Sequence, residues 1–159
     1  MPSKRSQIEM TTAEIDEFLA VPRSLNVATI GPSGHPHLVA MWFGFLGGER
    51  FSNAKIAFWT FGKSQKVLNL RREPRMTCLV EAGTRYDQLQ GVELVGTGSI
   101  VEDHDTIMAI AVSTSARHNG PVTDEARGFM EIQARKRVGV VLDVERVVSW
   151  DHRKLGGVY

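Results

Sequence analysis

The spacing of apolar positions changes period several times along the chain, and each change marks an element. In residues 11–20, Ile15, Phe18 and Leu19 recur on one helical face, Thr11 and Glu14 stand in capping-box spacing, and Pro22 ends the pattern, so the sequence predicts a short helix. The period then falls to two. SLNVATI (24–30) and PHLVAMWFGFL (36–46) are β-rich runs joined by GPSGH, whose Gly31, Pro32 and Gly34 supply turn chemistry, and they read as a hairpin. After a turn at Gly47 and Gly48, KIAFWTF (55–61) forms a third strand that runs into a helix starting at Ser64 and stopping before Pro74.

RMTCLVEA (75–82), GVELVGTGSIVED (91–103) and VGVVLDVERVVSW (138–150) complete the set of strands. Gly96 and Gly98 in the fifth suggest a bend or a close backbone approach. Helical patterns at 105–117 and 123–137, split by HNGP, lie between the last two strands. The expected fold is mainly β (α+β): a six-stranded antiparallel barrel, closed or partly closed, with short helices at its corners and all of residues 1–159 in one domain. A doubly wound parallel sheet is disfavoured, because GTGS lacks the order of strand, Gly-rich turn and helix that a nucleotide fingerprint requires.

Composition narrows the chemistry. A formal charge of +1 offers no global attraction for nucleic acid or an acidic membrane, and neither partner is expected. The single Cys78 excludes an intramolecular disulfide and sits in an apolar run. The start, MPSKRSQIEM, lacks the apolar centre of a signal peptide, and a cytoplasmic protein is the expectation. Charge is concentrated locally: Lys63, Lys66, Arg71, Arg72 and Arg75, five of the 19 Lys and Arg residues, fall within 13 positions opposed only by Glu73.

Two of these cations stand at the wrong end of a helix. The positive end of the dipole and the unpaired N–H groups of the first turn disfavour ammonium groups there. Either solvent screens Lys63 and Lys66, or they join Thr60, Ser64 and the first-turn N–H groups in an anion site. Other machinery is absent. His35 and His37 lie on a turn without metal ligands at useful spacing, Asp103, Asp105, Asp124 and Glu125 read as helix caps and first-turn acids, and no nucleophile elbow exists. No catalytic side chain and no metal are expected. A reaction whose reactive atom belongs to a cofactor is what remains.

FWTFGKSQKVLNLRREPR, following HPHLVAMWF, resembles the flavin-binding core of the pyridoxamine 5′-phosphate oxidase-like split β-barrel proteins. The chain is most similar to the actinobacterial branch of flavin and deazaflavin oxidoreductases that use coenzyme F420. VVSWDHRKLG and RYDQLQGVELVGTGSIVED extend the match over nearly the whole chain. The resemblance implies a homodimer with two cofactors at its interface. It implies that the strand of Val39, Ala40, Met41, Trp42 and Phe43 passes beside the tricyclic ring, and that the turn carrying Trp59, Thr60, Lys63, Ser64, Gln65 and Lys66 holds the ribityl phosphate. It also implies that Trp150 approaches from the second subunit. Tyr86 would line a substrate pocket or cap the barrel.

Two departures bear on activity. Where the pyridoxamine phosphate oxidases carry an Arg–Lys pair after the turn serine, this chain has Gln65 and Lys66, with Lys63 before Ser64. SWDHRKLGGVY also lacks their Arg-x-His grip on the B6 substrate, so oxidation of vitamin B6 is not expected. The expected activity is hydride transfer from reduced coenzyme F420 to an activated double bond of a small organic molecule, with the product's proton taken from solvent. FMN is the alternative cofactor; Lys63, Arg71 or Arg72 would favour the longer anionic tail of coenzyme F420. A non-catalytic binder of the cofactor or of haem, with His37 as axial ligand, is the alternative from another class.

Overall fold

The computed structural model describes residues 3–157. Its strands are β1 (Leu25–Ile30), β2 (Pro36–Met41), β3 (Gly44–Leu46), β4 (Lys55–Phe61), β5 (Arg75–Ala82), β6 (Gln90–Val101) and β7 (Arg137–Asp151). The helices are α1 (Lys4–Ile8), α2 (Thr12–Ala20), α3 (Gln65–Arg72), α4 (His104–Asn119) and α5 (Asp124–Ala134). All seven strands form one sheet in the order β2-β1-β5-β6-β7-β4-β3, and the pairings are antiparallel. The outermost strands β2 and β3 are joined through Trp42 and Phe43 alone, so the sheet must curl until its two edges approach. The result is a partly closed barrel.

Directly paired residues share a face of the sheet. Leu25, Val27, Phe58, Val80, Leu94 and Val140 point inward and are almost fully buried. Ile15, Phe18 and Leu19 of α2 join the same core, the helix starting from the Thr11–Glu14 capping box. On the outside, α4 lies against β3, β4 and the first half of β7. A Cβ on Gly139 would come within 2.7 Å of the Ile110 side chain, and one on Gly44 within 2.6 Å of Ser113 Oγ. α3 packs on the inner side of β6 at Gly98, where a Cβ would meet Leu70 at 3.1 Å. Gly96 marks a register shift in the β6–β7 pairing, and a Cβ there would come within 2.0 Å of the Asp143 carbonyl oxygen. The bend expected at these glycines is present.

The sheet has seven strands rather than six because PHLVAMWFGFL breaks at Trp42 and Phe43. Arg117 of α4 packs against the break. Its guanidinium donates to the carbonyls of Phe43 (3.1 Å) and Leu19 (2.9 Å), and lies 4.4 Å and 4.8 Å from the ring centres of Phe43 and Phe45. α1 has no counterpart in the sequence reading, and α5 stops short of it because Arg137 already pairs with Phe61. Asp103 caps α4 by accepting from Thr106 N, and Asp105, Asp124 and Glu125 fall in first turns, as their spacing suggests. No helix among the described residues is long and apolar enough to cross a membrane.

Candidate cofactor site

β4 delivers the chain to α3 through a turn fixed at both sides: Gly62 N donates to Lys136 O at 2.9 Å, and Ser64 N to Phe61 O at 3.0 Å. Strand period places Thr60 inside the barrel and Trp59 outside. Lys66, in the first turn of α3, turns inward. Its ammonium donates to Thr60 Oγ1 at 3.1 Å, and the residue is only 8% exposed. No carboxylate among the described residues pairs with it, and burial lowers its pKa from the ordinary lysine value. The main-chain N–H groups of Gln65 and Lys66 have no carbonyl partner, as expected of a first turn. This end of α3 therefore carries a desolvated cation, free N–H donors and the positive end of the dipole, with nothing negative to match them.

The remaining residues of the predicted turn are placed differently. Ser64 occupies the N-cap position, yet its hydroxyl makes no capping bond and is buried without a partner. Gln65 is exposed and turns its amide back to Asn69 Oδ1 at 2.8 Å, while Asn69 donates to Thr29 Oγ1 at 3.0 Å. Lys63 is exposed and unpaired. Arg71 pairs with Glu102 at 2.6 Å and Arg72 donates to Ile30 O, so both arginines are committed at the far end of the helix.

The ring-facing strand divides by face. Val39 and Met41 pair with Val27 and Leu25 and pack against the core, whereas Ala40 faces out beside Leu38, which is 68% exposed. A planar ring on the outer side of β2 would therefore touch Leu38 and Ala40; strand alternation alone singles out Leu38, which the family pattern does not. β2 is an edge strand, so its outward N–H and C=O groups are unpaired and available to ring heteroatoms. The expectation that Phe43 touches a cofactor does not hold for its side chain: the ring is fully buried beneath Arg117 and its carbonyl is occupied. Trp42 remains half-exposed, stacked on His118 with ring centres 4.3 Å apart. Burial, and then Arg117, lower the His118 pKa, which favours the neutral imidazole.

Trp150 lies on the outer face, directly over Gly91, where a Cβ would come within 2.1 Å of the indole. It stands near the end of β7 opposite to Arg137, the residue that pairs beside the lysine turn. Tyr86 is exposed and meets His152 edge to face at 4.8 Å, away from both sets of residues along the chain. His37 faces inward opposite Thr29, and its Nδ1 is buried without a partner. Cys78 is in the core, where burial pushes its thiol pKa up to about 12, so it is no nucleophile. No group of three or more potential metal ligands occurs among the described residues. Arg117, Thr114 and His118 escape the sequence reading because their roles depend on packing between α4 and distant strands.

A family model described as pyridoxamine 5′-phosphate oxidase matches residues 11–151. Among solved structures, the conserved hypothetical protein Rv2991 from Mycobacterium tuberculosis is 42% identical over 99% of this chain and 95% of its own, with a TM-score of 0.88. A protein named F420 reductase is 22% identical, over 92% of this chain and 98% of its own, with a TM-score of 0.58. HutZ, a haem storage protein from Vibrio cholerae, is 16% identical, over 88% of this chain and 96% of its own, with a TM-score of 0.62. The last two show a common fold. No curated protein gives a significant match. On the extent of the family match and the closeness of the mycobacterial structure, the chain belongs to the pyridoxamine 5′-phosphate oxidase family of split-barrel proteins.

Proposed function

We propose that the protein is a coenzyme F420-dependent oxidoreductase that passes a hydride from the reduced deazaflavin to an activated double bond. The observation that carries this reading is the buried Lys66 at the start of α3, its ammonium held by one neutral hydroxyl and paired with no carboxylate among the described residues. An unmatched cation in that position is costly, and a phosphate offsets the cost. The first-turn N–H groups of Gln65 and Lys66 would bond the same phosphate, and the free edge of β2 would orient the ring. When bound, the cofactor supplies the hydride. The protein binds, orients and excludes water; Leu38 and Ala40 provide the apolar surface for the ring.

FMN offers the same phosphate. Lys63, exposed and unpaired beside the turn, favours a longer anionic tail, which is the feature that distinguishes coenzyme F420. The resemblance to the protein named F420 reductase agrees with this choice, although its identity supports the fold alone. His37 faces the same inner side as Thr60 and Lys66, so its orientation does not separate haem from the other two cofactors.

The reading includes a homodimer. Leu38, Ala40, Ala28, Leu79 and Val95 lie exposed or half-exposed on an outer face that they share with Asn26, Thr77, Glu93 and Arg146, and Trp150 lies on that face. Pairing two such faces would bring Trp150 of one chain towards the β2 edge of the other. Titration of the purified protein with coenzyme F420, FMN and haemin, followed by tryptophan fluorescence and absorbance, tests the choice. Coenzyme F420 is expected to bind tightest; tighter binding of FMN or haemin overturns it.

A further inference from the structure

The positive charge at the start of α3 can be counted residue by residue. Among the described residues, Lys66 is the only lysine or arginine that is buried, and its ammonium donates to the neutral Thr60 hydroxyl. Gln65, the first residue of the helix, brings no charge, and its amide turns along the helix to Asn69 Oδ1. Lys63 and Lys136 are exposed, so water and salt screen them. The Arg137 guanidinium lies over Trp59, on the outer side of β4, while Arg71 and Arg72 are engaged at the other end of the helix. What remains is one buried lysine and the partial charge of the helix end, about half an elementary charge.

This count has a consequence for the charge of a ligand. Taking an anion out of water costs a free energy that grows with the square of its charge, whereas its attraction to a single cation grows only in proportion. A second negative charge would therefore enter this site with no partner to offset its desolvation. Phosphate groups come in two charge states. A phosphomonoester is mainly a dianion at neutral pH, because its second pKa is about 6, while a phosphodiester keeps one charge.

We infer that the start of α3 selects a singly charged phosphodiester over a doubly charged phosphomonoester, and that the neutral Gln65 sets this preference. The inference rests on the phosphate site proposed above and adds the charge state of its ligand. It moves the choice between cofactors to the phosphate itself: the phosphate of coenzyme F420 continues into a tail and is a diester, whereas that of FMN is terminal. An arginine at position 65 would supply the second cation that a monoester calls for; glutamine supplies none.

The test compares FMN with riboflavin 5′-(methyl phosphate), which keeps the ring and the ribityl chain and lacks one charge. Each is titrated into the protein and followed by flavin fluorescence at about pH 7.5 and about pH 5, on either side of the second phosphate pKa. At about pH 7.5 the methyl ester should bind at least roughly fivefold more tightly than FMN; at about pH 5, where FMN has taken up its proton, the two should bind alike. The ratio isolates the phosphate, because a protonated His37 on the inner face would strengthen both ligands. Gln65→Arg, at an exposed position where folding is not at risk, should bring FMN at least level with the ester at about pH 7.5. FMN binding the wild type as tightly as the ester at about pH 7.5, or a ratio that does not change with pH, would overturn the charge selection. An unchanged ratio in Gln65→Arg would overturn the role of Gln65. Lys66→Met separates these failures from failure of the phosphate site, since it should weaken both ligands. If it weakens neither, or if neither ligand binds the wild type, the site itself falls and the inference with it.

Discussion

The Lys66 ammonium lies 3.1 Å from the Thr60 hydroxyl, and among the described residues no carboxylate pairs with it. Methionine at position 66 keeps the buried stem and removes the charge. Lys66→Met should therefore stabilise the cofactor-free protein, by roughly 1 kcal/mol, because an uncompensated cation leaves a desolvated site. The pH dependence has a definite sign. Burial holds the folded-state pKa below the ordinary lysine value of 10.5, so the unfolded chain binds the extra proton in the interval between the two. Wild-type stability should rise relative to Lys66→Met as pH climbs through that interval. Thermal melts across the alkaline range check this; a constant difference would mean that Lys66 is not desolvated.

Ser64 and Thr11 both occupy N-cap positions, but only Thr11 makes the bond, accepting from Glu14 N while Glu14 accepts from Thr11 N. Thr11→Ala should cost about 1 kcal/mol, whereas Ser64→Ala should stay within about 0.5 kcal/mol of wild type in the cofactor-free state. Denaturant unfolding of the two variants distinguishes them. Equal losses would show that Ser64 caps α3 in solution.

Arg117 ties α4 to the break between β2 and β3 and to the end of α2 through carbonyl contacts at Phe43 and Leu19. Arg117→Ala should destabilise the protein by about 2–4 kcal/mol, since it leaves those carbonyls without their donor and removes a cation from two aromatic faces. Arg117→Lys should recover only part of this, because an ammonium cannot reproduce the planar fork. Full rescue by lysine would reduce the role of Arg117 to charge alone.

At Gly91, alanine would require the indole of Trp150 to move, given the 2.1 Å approach of a built Cβ. If Trp150 completes the cofactor groove of a partner chain, Gly91→Ala and Trp150→Ala should both weaken cofactor binding while leaving a dimer in solution. Light scattering should give twice the 17.6 kDa chain mass for the wild type. A monomer at micromolar concentration would contradict the paired-face arrangement.

Much of the architecture follows from local pattern. The strand Lys55–Phe61, the helix ending at Arg72 and the glycine bend at Gly96 all stand where period, proline and glycine put them. The split between β2 and β3 could not be read in this way, because the guanidinium packed against it lies 74 positions away along the chain. The lysine turn was half legible. Alternation places Trp59 and Thr60 on opposite faces of β4, so one site cannot take both side chains, and the helix pattern marks Lys66 as a misplaced cation without showing that it is buried. The unpaired hydroxyls of Ser64 and Thr114 are facts of packing, and no residue spacing announces them.

On this reading Lys66 at the start of α3 binds the phosphate of a deazaflavin. Calorimetric titration of coenzyme F420 into wild type and Lys66→Met tests it most directly. The wild type should bind more tightly by about 1.5–3 kcal/mol, roughly ten- to a hundredfold, as expected for a charge-assisted hydrogen bond to phosphate. Equal affinity in the two proteins would contradict the phosphate site, and with it the proposed cofactor.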